Sequence, residues 1–268
     1  MRKFFLQGPF FPSRRDNLMT NEGSVALARE NFIRNRFRNL DFLLRSRYSW
    51  MSCYLGSAQT IIEVGSGAGL SSFYLNQRVI LTDATQNPWL HRYLDATNMD
   101  LEDCSVDVFI ASHCIHHFNS PFKFFEECER VLKPGGVLLI QEINTSTLMR
   151  LLLRLMRHEG WSYLVDVFSR DEIVSCKDDL WSANCAVPEL LFASSVRFES
   201  AFRGFKIERN ELCECLLFPL SGGVIAKTVM PELPNSLLKG VSLLDKLIVR
   251  LFPHIFALGR RVVLRKRG

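Results

Sequence analysis

The segment Ile61-Ile62-Glu63-Val64-Gly65-Ser66-Gly67-Ala68-Gly69 constrains the fold more than any other stretch of this chain. A short apolar run that breaks into alternating glycines is a buried strand entering a tight turn, and the spacing predicts a helix opening at Leu70. Gly65 and Gly67 can take backbone angles that a Cβ penalises, and they leave the main chain bare for a ligand to lie against. The first N–H groups of the helix have no partner within it and add polar donors at the same place. Such a turn cradles a nucleotide, although many ligands use one.

The next apolar runs follow at intervals suited to a parallel sheet. Val79-Ile80-Leu81 ends in Thr82-Asp83, which puts a carboxylate at the tip of a second strand beside the glycine turn, where it suits two ribose hydroxyls. Asp95-Ala96 precedes a polar stretch. Val106 to Ala111 reads as a buried strand running into Ser112-His113-Cys114-Ile115-His116-His117. A helix is predicted from Pro121 to Leu132, then a tight turn at Lys133-Pro134-Gly135-Gly136 and a strand over Val137 to Ile140.

These motifs, in this order over residues 58 to 143, resemble the class I S-adenosylmethionine-dependent methyltransferases of the small-molecule type. The resemblance implies a Rossmann-like doubly wound α/β fold, with a mostly parallel seven-stranded sheet and helices on both faces. It implies S-adenosylmethionine as cofactor, S-adenosylhomocysteine as product and no metal. By the same resemblance Gly65, Ser66 and Gly67 approach the methionine part, Glu63 orients that loop and Asp83 holds the ribose. Asp95 and Ala96 meet the adenine, and Ser112 borders the methionine moiety or the methyl. Three zones follow: a basic helical lid over 1–57, the cofactor core over 58–143, and over 144–268 a completion of the sheet with inserted apolar and basic helices, all in one structural domain.

One departure concerns the stretch from Ala84 to Leu94, which contains Pro88 and is too short for the full helix and strand of the family. The second helix is therefore expected to be very short or missing. Compressed forms with a His-Glu pair after the fifth strand, here His158-Glu159, resemble bacterial methyltransferases.

With 268 residues, 47% of them hydrophobic, the chain can bury one sizeable core. Met1 to Leu6 imitates the start of a leader, but Gly8, Pro9 and Pro12 end the apolar stretch too early for one, and no window is apolar enough to span a bilayer. The eight cysteines form no C-x-x-C pair and are expected to stay reduced in a cytoplasmic enzyme. Cys213 and Cys215 are expected on one face of a strand as small buried hydrophobes.

Charge is uneven. Residues 1–50 carry ten Arg/Lys against four Asp/Glu and residues 241–268 carry seven against one, so with a total of +5 the middle is acidic. The basic ends could face phosphate, an anionic lipid surface, nucleic acid or only solvent. Helices are expected between Glu22 and Tyr54, over Thr147 to Glu159 with Arg150, Arg154 and Arg157 as a basic stripe, and over Leu237 to Leu251 with Lys239, Lys246 and Arg250. Either of the last two could cover the core, close over a greasy substrate or lie on a membrane. Strands are expected from Phe205 to Leu217 and over Arg261 to Leu264, as the sixth and the antiparallel seventh.

The chemistry implied is in-line attack on a sulfonium methyl, which needs positioning and exclusion of water. A hydroxyl acceptor needs a base as well. The candidates are His113, His116, His117, Glu142 and His158, with His113 best placed because it follows the strand tip where the acceptor should sit. The spacing of the His113–His117 cluster matches no standard metal site. Ser112-His113-Cys114-Ile115 replaces the Asn/Asp-Pro-Pro-Tyr-like segment of amino-methylating relatives, which argues against planar-amide and exocyclic-amine targets, and the extra apolar and basic helices point to a small-molecule or lipid- or glycan-linked acceptor, with oxygen first and carbon second. Peripheral contact with an anionic membrane is a further expectation. An RNA methyltransferase and a non-catalytic cofactor-binding module are the alternatives, the first weakened by the lack of an aromatic RNA-binding signature or zinc knuckle. A nicotinamide reductase fits less well, since Leu70 stands where a third glycine would be. The acceptor and the oligomeric state are not legible.

Overall fold

A computed structural model describes residues 24–156, 159–175, 182–225 and 228–268. The leader-like start, the basic residues before Ser24, Arg157 and the candidate base His158 lie outside the described residues.

Seven strands form the sheet: β1 (Ile61–Val64), β2 (Val79–Asp83), β3 (Arg92–Tyr93), β4 (Val106–Ser112), β5 (Leu132–Ile143), β6 (Phe205–Cys213) and β7 (Gly259–Lys266). Their order is β3-β2-β1-β4-β5-β7-β6. The first five strands run parallel, and β7 inserts antiparallel between β5 and β6. The sheet reverses its winding between β1 and β4, so both strand tips open onto one crevice, the place where open α/β sheets bind ligands.

Because β-strand side chains alternate, the apolar runs feed two cores. Ile61, Leu81, Val108, Ile110, Leu139 and Val263 face one side. Helices α1 (Val25–Asn35) and α2 (Arg38–Leu55) cover it with Phe32, Leu40, Leu44 and Met51. Ile62, Val64, Phe109, Ala111, Leu138, Ile140 and Val262 face the other side. Helices α3 (Pro121–Val131), α5 (Val187–Phe192) and α6 (Ser195–Ala201) pack there, and Phe124, Phe125, Phe192, Phe198 and Phe202 interlock among them. Full burial of each ring is worth about 1.5–3 kcal/mol relative to exposure, before ordering costs. Helix α4 (Thr147–Met156) lies between β5 and β6 in sequence. After β6 come α7 (Leu217–Ser221), α8 (Asn235–Leu251) and the short α9 (Pro253–Phe256).

Serine side chains cap the starts of α1, α3 and α6. Ser24 accepts from Leu27 N, Ser120 from Lys123 N ahead of Pro121, and Ser194 from Arg197 N.

Three expectations need correction. The helix predicted at Leu70 is only a 3₁₀ turn, Leu70–Phe73, because residues 65–78 cannot hold a glycine bend, a full helix and the return to β2. Helices α1 and α2 cover that face instead. The predicted turn at Lys133–Gly136 is carried within β5, with Gly135 at φ 78° and its carbonyl accepting from Arg265 Nη1. Cys213 and Cys215 do not share one face of a strand. Glu214 sits at φ 59°, which ends β6 at Cys213 and turns Cys215 into a separate small core with Val249 and Ala257. The expected absence of a second helix before β3 is what the structure shows: β3 is two residues long and is reached by turns alone.

Candidate active site

The glycine bend after β1 is held from three sides. Gly67 N donates to Asp83 Oδ2 at 2.8 Å, and Asp83 Oδ1 accepts from the backbone N–H and the hydroxyl of Thr85. The carboxylate at the tip of β2 is thus aimed at the bend. Ser66 ties β1 to β2, donating its N–H to Thr82 O and its hydroxyl to Glu63 O while its Oγ accepts from Thr82 N. Arg29 of α1 reaches over the bend and donates to Ala68 O and Gly69 O, with its guanidinium stacked near Phe73 and Trp89. Trp89 Nε1 donates to Gly67 O.

The glycines differ in what they permit. A Cβ on Gly65 would meet Cys114 Cβ at 2.5 Å, so the bare Cα of Gly65 makes room for the protein rather than for a ligand. A Cβ on Gly67 would meet nothing closer than Val25 Cγ1 at 3.8 Å. Space lies open above Gly67, at φ 49°.

Glu63 is buried and accepts a hydrogen bond from Ser71 Oγ in the 3₁₀ turn, tying β1 to the far side of the bend. Burial is the main cause that pushes its carboxyl up to about 7; the hydrogen bonds from Ser71 and Ser66 oppose that rise. Asp95 Oδ1 accepts from the N–H and hydroxyl of Thr97, and Ala96 follows it along the wall.

A cavity of about 820 Å³ begins at these groups and continues past Ser112 to a second polar cluster. Its walls include Leu44, Met149, Leu152, Leu153 and Phe218. Behind the far wall Glu142 is fully buried at the penultimate residue of β5. Its Oε1 accepts from Ile115 N at 2.7 Å, and its Oε2 lies 2.6 Å from His116 Nδ1. His116 Nε2 and His117 Nε2 face Glu159 at 3.6 and 3.7 Å.

Burial disfavours a charged ring at His116, but the charge of Glu142, its hydrogen bond and the charge of Glu159 outweigh it and lift the imidazole to about 9. Burial would raise Glu142, yet the His116 charge and hydrogen bond hold it down at about 2. Burial, then the neighbouring His116 charge, lowers His117 to about 4. His113 sits at φ 53°, stacked on Phe218 with its Nε2 buried and without a hydrogen-bond partner, and burial first, then Arg47, keeps it neutral.

Residues 62–140 match the profile of the methyltransferase-domain family. A probable S-adenosylmethionine-dependent methyltransferase of Mycolicibacterium smegmatis is 30% identical over 104 residues, covering 34% of this chain and 40% of that protein. A phthiotriol/phenolphthiotriol dimycocerosates methyltransferase of Mycobacterium ulcerans is 46% identical over 55 residues, 19% of each chain. A crystal structure of a SAM-dependent methyltransferase from Archaeoglobus fulgidus shares the fold, with TM-score 0.51 and 18% identity over 89% of this chain and 99% of that one. Residues 62–140 are thus similar to the methyltransferase-domain family, and the sheet has the fold of that Archaeoglobus protein. The chain spans 40% or less of the length of the curated relatives it matches.

The cofactor of a class I methyltransferase fits what the crevice offers. Gly67 leaves main chain open where a bulkier residue would intrude, and Asp83 uses three of a carboxylate's roughly four acceptor sites internally, which leaves one for a ribose hydroxyl. Glu63, Gly65, Ser66, Gly67, Asp83, Asp95, Ala96 and Ser112 all line the one cavity, and so do His113 and His117. Sequence reasoning named His116 and Glu142 separately; folding makes them a pair. It missed Arg29, Trp89 and Arg47, which also border the bend or the cavity. No local motif could have announced contacts that bridge separate elements.

Proposed function

We propose that this protein transfers the methyl of S-adenosylmethionine to a hydroxyl of an amphiphilic small molecule or lipid-linked acceptor. In that reaction the sulfonium S–CH₃ bond breaks with its electron pair left on sulfur, an O–CH₃ bond forms, and the hydroxyl proton is released toward the imidazole–carboxylate cluster. Gly65 to Gly67 would face the methionine part, Glu63 would brace the bend, and Asp83 would hold the ribose. Asp95 and Ala96 would meet the adenine, with Ser112 beside the methyl. The observation that carries the reading is a cavity of about 820 Å³ lined both by Asp83 and by His116 and His117, which brings the cofactor-facing and acceptor-facing groups into one space. His117 belongs to the activating cluster, whereas His113 is read as a neutral wall of the acceptor site.

Apolar walls at Met149, Leu152 and Leu153 support a greasy acceptor, as does the similarity to the Mycobacterium ulcerans phthiotriol/phenolphthiotriol dimycocerosates methyltransferase. Helix α8 supports contact with an anionic membrane. Only Leu238, Asp245 and Val249 of it are buried, while Leu243, Leu247 and Leu251 are exposed beside Lys239, Lys246 and Arg250. Among the described residues no helix is long and apolar enough to cross a membrane.

The test incubates the full chain with methyl-labelled S-adenosylmethionine and separate lipid, soluble-metabolite and RNA fractions. Label in a lipid or small-molecule product is expected; label in RNA alone overturns the reading. Flotation with vesicles containing phosphatidylglycerol tests the membrane part, and protein that stays at the bottom of the gradient removes it.

A further inference from the structure

We propose that His116, His117 and Glu159 form a binding site for a divalent first-row transition cation at the acceptor end of the cavity. This inference rests on the methyltransferase reading and deepens it by assigning the means of acceptor activation.

The argument begins with tautomers. Glu142 Oε2, 2.6 Å from His116 Nδ1, also accepts from Ile143 N, so the carboxylate is an acceptor and Nδ1 carries the hydrogen. His117 Nδ1 lies 3.2 Å from the carbonyl oxygen of Ser182, which can only accept, so that Nδ1 carries its hydrogen too. With Nδ1 committed in both rings, Nε2 is the nitrogen each can offer to a cation, His116 once its Nε2 proton is displaced by the metal.

Both Nε2 atoms face the same carboxylate. His116 Nε2 is 3.6 Å from Glu159 Oε2 and His117 Nε2 is 3.7 Å from Glu159 Oε1, beyond hydrogen-bonding distance. One donor atom from each of the three residues lies within 4.8 Å of the others. Four ligands at about 2.1 Å from a tetrahedral ion are about 3.4 Å apart, so each His–Glu separation to its nearer oxygen already approaches that spacing, and the widest pair would close by up to about 1.4 Å around a cation.

The surroundings are those of a metal site. The Glu142–His116 hydrogen bond reproduces the carboxylate–histidine arrangement that orients imidazole ligands, and Ser182 O does the same for His117. Cys185 Sγ, 3.2 Å from Glu159 Oε2, steadies the third ligand. Two imidazoles and one carboxylate suit zinc, cobalt or iron(II) and leave coordination positions open. All three residues line the cavity, so those positions face the acceptor. A cation there would hold the acceptor oxygen and ease the loss of its proton.

The test uses the full chain, stripped with chelator and titrated with Zn²⁺ against a chromophoric competitor, then with Co²⁺ followed by its visible absorption. One ion per chain is expected, with Co²⁺ bands free of thiolate charge transfer. His117→Ala and Glu159→Gln should each weaken Zn²⁺ binding at least about tenfold. S-adenosylhomocysteine affinity, measured on the same preparations, should change less than about twofold, which shows that the variants are folded. Absence of stoichiometric binding, a thiolate signature, or unchanged affinity in both variants overturns the proposal and leaves the His116–Glu142 pair to act on the proton unaided. Failure of the wild type to bind S-adenosylhomocysteine would instead sink the underlying methyltransferase reading, whatever the metal result.

Discussion

Arg47 Nε and Nη2 donate to the two carboxylate oxygens of Glu214 at 2.9 and 2.6 Å, in an ion pair whose side chains are 3% and 5% exposed. The pair fastens α2 to the end of β6 and sets the Arg47 guanidinium over Phe218 at the cavity wall. Removing one partner leaves the other charge buried and unpaired. Glu214→Ala should therefore cost about 3–5 kcal/mol in urea unfolding, and Arg47→Met with Glu214→Leu should recover more than half of that loss. A cost below about 1 kcal/mol for Glu214→Ala would show that the pair does not hold these elements together.

Glu63 makes stability depend on pH in the opposite sense to a salt-bridged acid. Its folded value of about 7 lies above the ordinary 4.5, so the native state holds a proton that the unfolded chain releases. The stability this contributes is complete below about pH 4.5 and is lost as pH rises through about 7, to the extent of roughly 3 kcal/mol. Glu63→Gln should flatten the profile in that window, which urea unfolding at a series of pH values will read. An unchanged slope contradicts the assignment.

Turnover and cofactor binding should separate at the His116–Glu142 pair. His116→Ala and Glu142→Gln are each expected to lower kcat by about 10²–10⁴ while leaving S-adenosylhomocysteine affinity within about twofold. Equal losses in both quantities would move these residues from the acceptor end to the cofactor end.

Asp245 anchors α8 from its buried face by accepting from Cys215, Leu216 and Leu217 N–H groups at the start of α7. Asp245→Ala strips three donors of their partner and should destabilise the chain by about 2–4 kcal/mol, with Asp245→Asn intermediate. Hydrogen exchange should show faster protection loss in α8 than in β4 and β5. Uniform loss throughout the sheet would mean that α8 is not a separable unit.

Much of the fold was legible because β1, β2, β4 and the second half of β5 each carry a run rich in apolar residues next to turn residues, a pattern that buried parallel strands require. Gly67 and Asp83 were legible for the same reason, since each sits at a strand tip that the pattern locates. The helix expected after Gly69 failed because Leu70–Phe73 is apolar enough to suggest one but has only residues 65–78 in which to fit. The His116–Glu142 pair was hidden by sequence distance. The two residues are 26 apart, and only the β4–β5 register, with Ser112 opposite Gln141, brings them together. Arg47 and Glu214 meet across 167 residues through packing that no local window records.

The most direct test of the account is isothermal titration of S-adenosylhomocysteine into the full chain and into Asp83→Ala, with thermal unfolding run on both. We expect one molecule bound per wild-type chain and at least about tenfold weaker binding in the folded variant, since the carboxylate that faces the glycine bend would be gone. Wild-type protein that gives no heat with the ligand, or a folded Asp83→Ala that binds it equally well, would contradict the claim that this crevice holds the methyl donor.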